Sequence, residues 1–134
     1  MVVGALGEVG RTVSAALEQL GHTIVPVSAR SPVAGTSAVD PDAAVALMAS
    51  GSVDLLIHAG GRGDRRPTTR TGSELTTVFA AACRGAGVPG VLLSTTRVLE
   101  GYGESYAEDA LPLPTTAYAE ANAANEEAWL GAGG

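Results

Sequence analysis

Glycines at positions 4, 7 and 10 in "VVGALGEVG" stand between a short β-branched run and a stretch with helical periodicity. Met1 to Val3 read as the end of a strand. From Glu8 to Leu20 the apolar residues Val9, Val13, Ala16, Leu17 and Leu20 share one helical face, and Gly21 suits the cap that follows. A chain that passes from strand to helix within so few residues needs a tight turn, and glycine allows the close backbone approach that such a turn demands. A strand, a glycine turn and an amphipathic helix make the first half of a β-α-β unit, which commits the chain to a parallel sheet if more strands follow.

More strands do follow. "HTIVPV" is rich in β-branched residues, with Pro26 arguing for an irregular or edge position. Asp40 followed by Pro41 marks a helix start through "DAAVALMAS", since aspartate caps free N–H groups and proline is tolerated in the first turn. "VDLLIHAGG" is a continuous apolar run closed by glycines, the pattern of a central parallel strand buried on both faces. Thr71 or Ser73 caps a helix with Leu75, Val78, Phe79 and Ala82 on one side, "GVLLS" is the next strand, and Thr115 or Thr116 starts a last helix carrying Tyr118, Asn122 and Trp129. Right-handed crossovers then stack helices on both faces of a doubly wound parallel sheet, a Rossmann-like three-layer αβα fold. Residues 1–134 are expected to form a single domain.

Composition removes several function classes. The chain is 46% apolar and 16% charged, a globular balance, and its formal charge of -6 with no basic stripe argues against nucleic acid. Cys83 is the only cysteine, so no intramolecular disulfide and no cysteine-rich metal site is available. His22 and His58 lack the carboxylate or thiolate company of a metal centre, and no metal is expected. No apolar run reaches the roughly 18 residues of a membrane helix, and the N-terminus lacks signal-peptide order; a soluble cytoplasmic protein is the expectation. All eight Lys+Arg residues are arginine.

A glycine turn at a helix start is a place for a diphosphate, because free N–H groups face the anion and the missing side chains admit it. Gly4, Gly7, Val9 and Gly10 are therefore candidate dinucleotide contacts, in a G-x-x-G-x-x-G spacing that departs from the commoner G-x-G-x-x-G. The end of the second strand chooses between cofactors. An acid there bonds the ribose 2′-hydroxyl and a base accommodates a 2′-phosphate. Ser28, Ala29 and Arg30 occupy it, which favours NADP over NAD.

The glycine turn, "DLLIHAGG", "VLLSTTRVLEG", "YAEDALPLPTTAY" and "ANAANE" together resemble, in order, the landmarks of extended short-chain dehydrogenase/reductases, and most of all dTDP-dehydrorhamnose reductases and related sugar-nucleotide reductases and epimerases. The resemblance covers nearly the whole chain. It implies that Ala59, Gly60 and Gly61 line the cofactor, that Thr95 hydrogen-bonds a substrate carbonyl, and that Tyr118 transfers the proton as hydride moves to or from the nicotinamide. It also implies a dinucleotide and a carbonyl or nucleotide-sugar substrate as partners.

The departures matter as much. The family's Tyr-x-x-x-Lys is here Tyr118-Ala119-Glu120-Ala121-Asn122, so a residue that holds the nicotinamide ribose and assists the phenol has lost its charge. Ser37 and Thr96 replace acids often found in these enzymes. The chain stops after the tyrosine helix, where the family continues into more sheet and a substrate lobe, and it is expected to be a short or truncated form whose bare sheet edges favour a homo-oligomer. Two other readings stay open: a dinucleotide-binding or assembly module without chemistry, and an enzyme that reuses Thr95, Tyr118 and Asn122 for acid–base work without hydride transfer.

Overall fold

The computed structural model describes residues 1–28, 36–60, 72–99 and 105–132. In order these form β1 (Val2–Val3), α1 (Glu8–Gln19), β2 (Pro26–Val27), α2 (Pro41–Ala49), β3 (Leu56–His58), α3 (Gly72–Ala86), β4 (Gly90–Leu92), a short 3-10 helix (Thr96–Val98) and α4 (Ala117–Gly131). The strands make one parallel sheet in the order β2-β1-β3-β4. Val3 is level with Val27 and His58, and His58 with Leu92. All four strands thus end at one edge, where the connecting loops gather.

The strand order dictates where the helices go. From β1 the chain steps one way to β2, then back across β1 to β3 and onward to β4. Right-handed crossovers therefore place α1 on one face and α2 and α3 on the other. The packing agrees: α2 contacts α3 and α3 contacts α4, while α1 rests on β1. The buried cluster of Val3, Val27, Met48, Leu56, Phe79, Cys83 and Trp129 draws on α2, α3 and α4 and takes nothing from α1.

Local chemistry explains the boundaries. Asp40 caps α2, its Oδ1 accepting from the Ala43 N–H at 2.8 Å, and Thr116 caps α4, its Oγ1 accepting from Ala119 N–H at 3.2 Å. Gly21 and Gly87 follow α1 and α3 with φ of 86° and 66°, a conformation glycine adopts without strain. At Gly90 any Cβ would stand 2.7 Å from the Trp129 ring and 2.9 Å from Cys83 Sγ, so β4 needs a glycine for α3 and α4 to close over it.

Four expectations are corrected. The strand expected over "HTIVPV" is reduced to Pro26–Val27, because His22 is drawn into the turn after α1, its N–H donating to Leu17 O at 3.1 Å. "VDLLIHAGG" holds only a three-residue strand, although it is central as expected. Ser73 lies inside α3 rather than capping it, and the buried side of that helix is Leu75, Thr76, Phe79, Ala80 and Cys83, with Val78 and Ala82 at its margin. The apolar stripe of α1 is mostly uncovered: Gly10 is its one buried residue, and Val9 and Leu20 are 55% and 75% exposed. On the same side of the sheet Val2 is fully buried, while the outer strand β4 is open. Strand side chains alternate, so Val91 points away from the α3–α4 side that Gly90 faces, and it is exposed.

Candidate functional site

The turn between β1 and α1 is built by backbone contact. Gly4 has φ +78°, and a Cβ on it would lie 2.9 Å from Gly60 N and 3.0 Å from Gly60 Cα. Gly7 donates its N–H to Gly4 O at 2.9 Å, closing the turn. A Cβ on Gly10 would lie 2.2 Å from Gly4 O and 2.7 Å from Gly4 C. Three backbone segments (the turn, the first coil of α1 and the end of β3) are thus pressed together with no room for side chains. Two of the three glycines predicted from spacing, Gly4 and Gly10, are required by this contact, whereas at Gly7 a Cβ would stand 3.2 Å from Gly4 O, a tight fit that a small shift relieves.

The same turn leaves α1 without a side-chain cap. Its N-cap, Gly7, has no side chain to offer, whereas Asp40 and Thr116 cap α2 and α4. The first-turn amides of Glu8, Val9 and Gly10 therefore have no capping side chain to bond, at the positive end of the helix dipole. An anion satisfies such groups. The Val9 side chain is exposed.

At the end of β3, Ala59 and Gly60 are half-buried and abut Gly4. His58, directly before them, is 2% exposed and its Nδ1 accepts the Gly60 N–H at 3.3 Å. Burial pushes the His58 pKa down to about 4, against a weaker raising effect of a backbone hydrogen bond. Gly61 and Arg30 lie outside the described residues, as do Arg62, Arg65, Arg66 and Arg70. Ser28, beside Arg30, is buried and donates its N–H to Val39 O at 3.0 Å.

Beyond β4 the third cluster forms. Thr95 is the N-cap of the 3-10 helix, half-buried, with Oγ1 accepting from Arg97 N–H at 3.3 Å. That bond uses an oxygen lone pair and leaves the Thr95 hydroxyl proton to donate elsewhere. The 3-10 helix packs on α4, and the Leu113 N–H donates to Val98 O at 2.8 Å, drawing the chain toward the start of α4. Tyr118 sits in the first turn of α4 and is 43% exposed. Asn122 is 5% exposed and its Nδ2 donates to the Tyr118 carbonyl at 2.8 Å, so its amide folds back along its own helix.

Sequence reasoning overlooked three polar contacts here. Ser94 Oγ donates to Glu126 Oε1, tying the end of β4 to α4. Thr76 Oγ1 lies 3.4 Å from Asn125 Oδ1, linking α3 to α4 in the interior. His58 anchors Gly60, as described. Asn122, Asn125 and Trp129 recur at helical spacing, and that spacing was the available signal that polar residues share the buried face of α4. Among the described residues no group of three or more His, Cys, Asp or Glu could hold a metal, and no helix is long and apolar enough to cross a membrane.

A parallel sheet whose C-terminal edge carries a glycine turn and a bare helix start defines the class of Rossmann-type α/β proteins. Within that class, the chain belongs to the RmlD substrate binding domain family, whose model matches residues 1–133. Among solved structures it is similar to MoeE5 in complex with UDP-glucuronic acid and NAD, at 25% identity and a TM-score of 0.75 over 98% of this chain and 48% of that one. A short-chain dehydrogenase/reductase superfamily protein from Agrobacterium tumefaciens with bound NAD is 27% identical, with a TM-score of 0.70 over 95% of this chain and 42% of that one. A hypothetical dTDP-4-dehydrorhamnose reductase from Sulfolobus tokodaii shares the fold at 20% identity, with a TM-score of 0.73 over 95% of this chain and 50% of that one. The chain spans about half the length of these structures. No curated protein matches it.

Proposed function

We propose that this chain holds a nicotinamide dinucleotide across the β1–α1 turn and is the cofactor-binding part of an oxidoreductase or epimerase acting on a nucleotide sugar or similar carbonyl compound. One observation carries the reading: an uncapped helix start, pressed by glycine contacts against the end of β3, offers amides to a diphosphate and no side chain in its way. Two relatives at 25% and 27% identity were crystallised with NAD, one of them with UDP-glucuronic acid as well.

In this reading the amides of Glu8, Val9 and Gly10 bond the diphosphate, and Gly4, Gly7, Ala59, Gly60 and Gly61 line its path. Arg30 meets a 2′-phosphate when NADP is the ligand. The dinucleotide supplies hydride exchange at its nicotinamide. The Thr95 hydroxyl donates to the substrate carbonyl oxygen, and the exposed Tyr118 phenol passes the proton to or from it. Asn122 steadies the first turn of α4 through the Tyr118 carbonyl and brings no charge to the phenol. That same bond favours a second reading, a dinucleotide-binding module in which the tyrosine is idle. A cytoplasmic location and self-association through the bare α1 face belong to the proposal.

Titration of the native chain with NADH and NADPH tests the first step, and Arg30→Ala tests the preference. Saturable binding of either supports the reading, and binding of neither ends it. Turnover with a dTDP-4-keto-sugar, compared among native, Tyr118→Phe and Asn122→Lys forms, separates enzyme from module. The enzyme reading expects Tyr118→Phe to abolish turnover and Asn122→Lys to raise it by about 100-fold, the worth of a positioned proton-transfer group. No turnover in any form leaves the binding module.

A further inference from the structure

His58 ends β3, and its side chain leaves the sheet on the α3–α4 side, where it meets the rings of Phe79 at 5.8 Å and Trp129 at 6.2 Å, both edge to face. Its two nitrogens have different surroundings. Nδ1 accepts from the Gly60 N–H, while Nε2 is buried with no hydrogen-bond partner. An accepting Nδ1 requires a neutral ring with its proton on Nε2. That Nε2–H is then an unpaired donor in an apolar setting, which is costly. If β3 needed only a core residue at this place, leucine or phenylalanine would fill it without the penalty.

What the histidine adds is the hold on Gly60. Among the described residues the Gly60 amide bonds no other strand, and the ring edge also supports the glycine from below: a Cβ on Gly60 would sit 3.5 Å from His58 Cε1 and 3.8 Å from Gly4 Cα. Gly60 is thus clasped between the His58 ring and the Gly4 turn. We propose that His58 is the positioning residue of the glycine cradle, its neutral Nδ1 fixing the Gly60 backbone and, through the contact with Gly4, the turn that faces the diphosphate. The proposal rests on the dinucleotide reading for its ligand. The Gly60 amide is spent inward on the histidine. Gly60 therefore serves the cofactor by letting it come close, and the anion donors are those of α1. Burial, which lowers the basicity of the ring, keeps the Nδ1 lone pair available at neutral pH. Among the described residues of the helices packed around the ring, the buried titratable group is Cys83, whose thiol burial pushes up.

The test compares His58→Asn, whose Oδ1 can replace Nδ1 as acceptor, with His58→Leu, which keeps bulk and loses the acceptor. Both are read by thermal unfolding, by NADH titration and by hydrogen exchange of the Gly60 amide in the full chain. His58→Leu is expected to fold, to exchange the Gly60 amide faster, and to bind NADH about tenfold more weakly, the scale of one net hydrogen bond; His58→Asn is expected to recover most of both. A folded leucine variant with native NADH affinity overturns the proposal, as does an asparagine variant no better than leucine. The Gly60 amide needs no nucleotide: if the native chain fails to bind NADH, the dinucleotide reading falls, and unchanged Gly60 exchange in His58→Leu overturns the positioning role separately. Should the leucine variant not fold, the native chain serves, because the Gly60 amide shift must follow the titration of the His58 ring. An amide that ignores that titration overturns the proposal too.

Discussion

Gly10→Ala and Gly85→Ala are the same chemical change in two helices, and the structure assigns them opposite signs. Gly85 lies in α3 with no atom within 4 Å of its missing Cβ and no positive φ, so alanine there gains helix propensity of about 0.5–1 kcal/mol. Gly10 has the same propensity to gain. Its Cβ, however, would stand 2.2 Å from Gly4 O, 2.7 Å from Gly4 C and 2.8 Å from Ala5 Cα, all backbone atoms that cannot swing aside. Relief requires α1 to move off the turn by roughly 1 Å, and overpacking of this kind costs about 1–3 kcal/mol. Taking the upper end, because three backbone atoms are struck at once, and subtracting about 1 kcal/mol of propensity leaves a net loss of about 2 kcal/mol. Urea unfolding of the native chain and both variants measures this directly, and NADH titration should show Gly10→Ala weakened beyond what its stability loss explains. A Gly10→Ala variant as stable as Gly85→Ala would refute the backbone contact on which the site is built.

Three further outcomes are expected. His58 is held neutral when folded, so in the window between 6.5 and about 4 the unfolded state binds the extra proton; stability is full above pH 6.5 and falls by about 3 kcal/mol as pH drops to about 4, and His58→Leu should flatten that part of a pH series of urea midpoints. Asp40→Ala should cost about 1 kcal/mol by uncapping α2, read as a lower thermal midpoint, with NADH affinity unchanged. Sedimentation should show self-association at micromolar concentration that Val9→Glu with Val91→Glu abolishes, both residues being exposed apolar side chains, one on α1 and one on β4; a stable monomer of the native chain would count against it.

Parts of this structure were legible in the residues, for stated reasons. The Asp40 and Thr116 caps and the glycine spacing act through local chemistry, and local chemistry is what a sequence displays. The order of landmarks pointed to the RmlD-like family, which the match over residues 1–133 bears out. Strand lengths were not legible. β-branched composition marks "HTIVPV" as extended, but pairing with β1 is possible only where β1 runs alongside, and that strand is Val2–Val3. The exposure of α1 escaped for a related reason: periodicity shows that a face is apolar and says nothing of whether a partner covers it. Asn122 and His58 depend on side-chain direction. Spacing placed Asn122 one turn from Tyr118, yet its amide bonds the Tyr118 carbonyl, and His58 turns inward to a glycine two residues ahead.

The most direct test of the account follows backbone amide signals while NADH is added to the isotope-labelled native chain. The structure puts the uncapped amides at Glu8, Val9 and Gly10, with Gly4 and Ala59 beside them. Saturable shifts concentrated on those residues are expected, with little change at Asp40 or at the C-terminal turn of α4. Saturable shifts centred elsewhere, or none at millimolar nucleotide, would contradict the claim that the β1–α1 turn is a dinucleotide site.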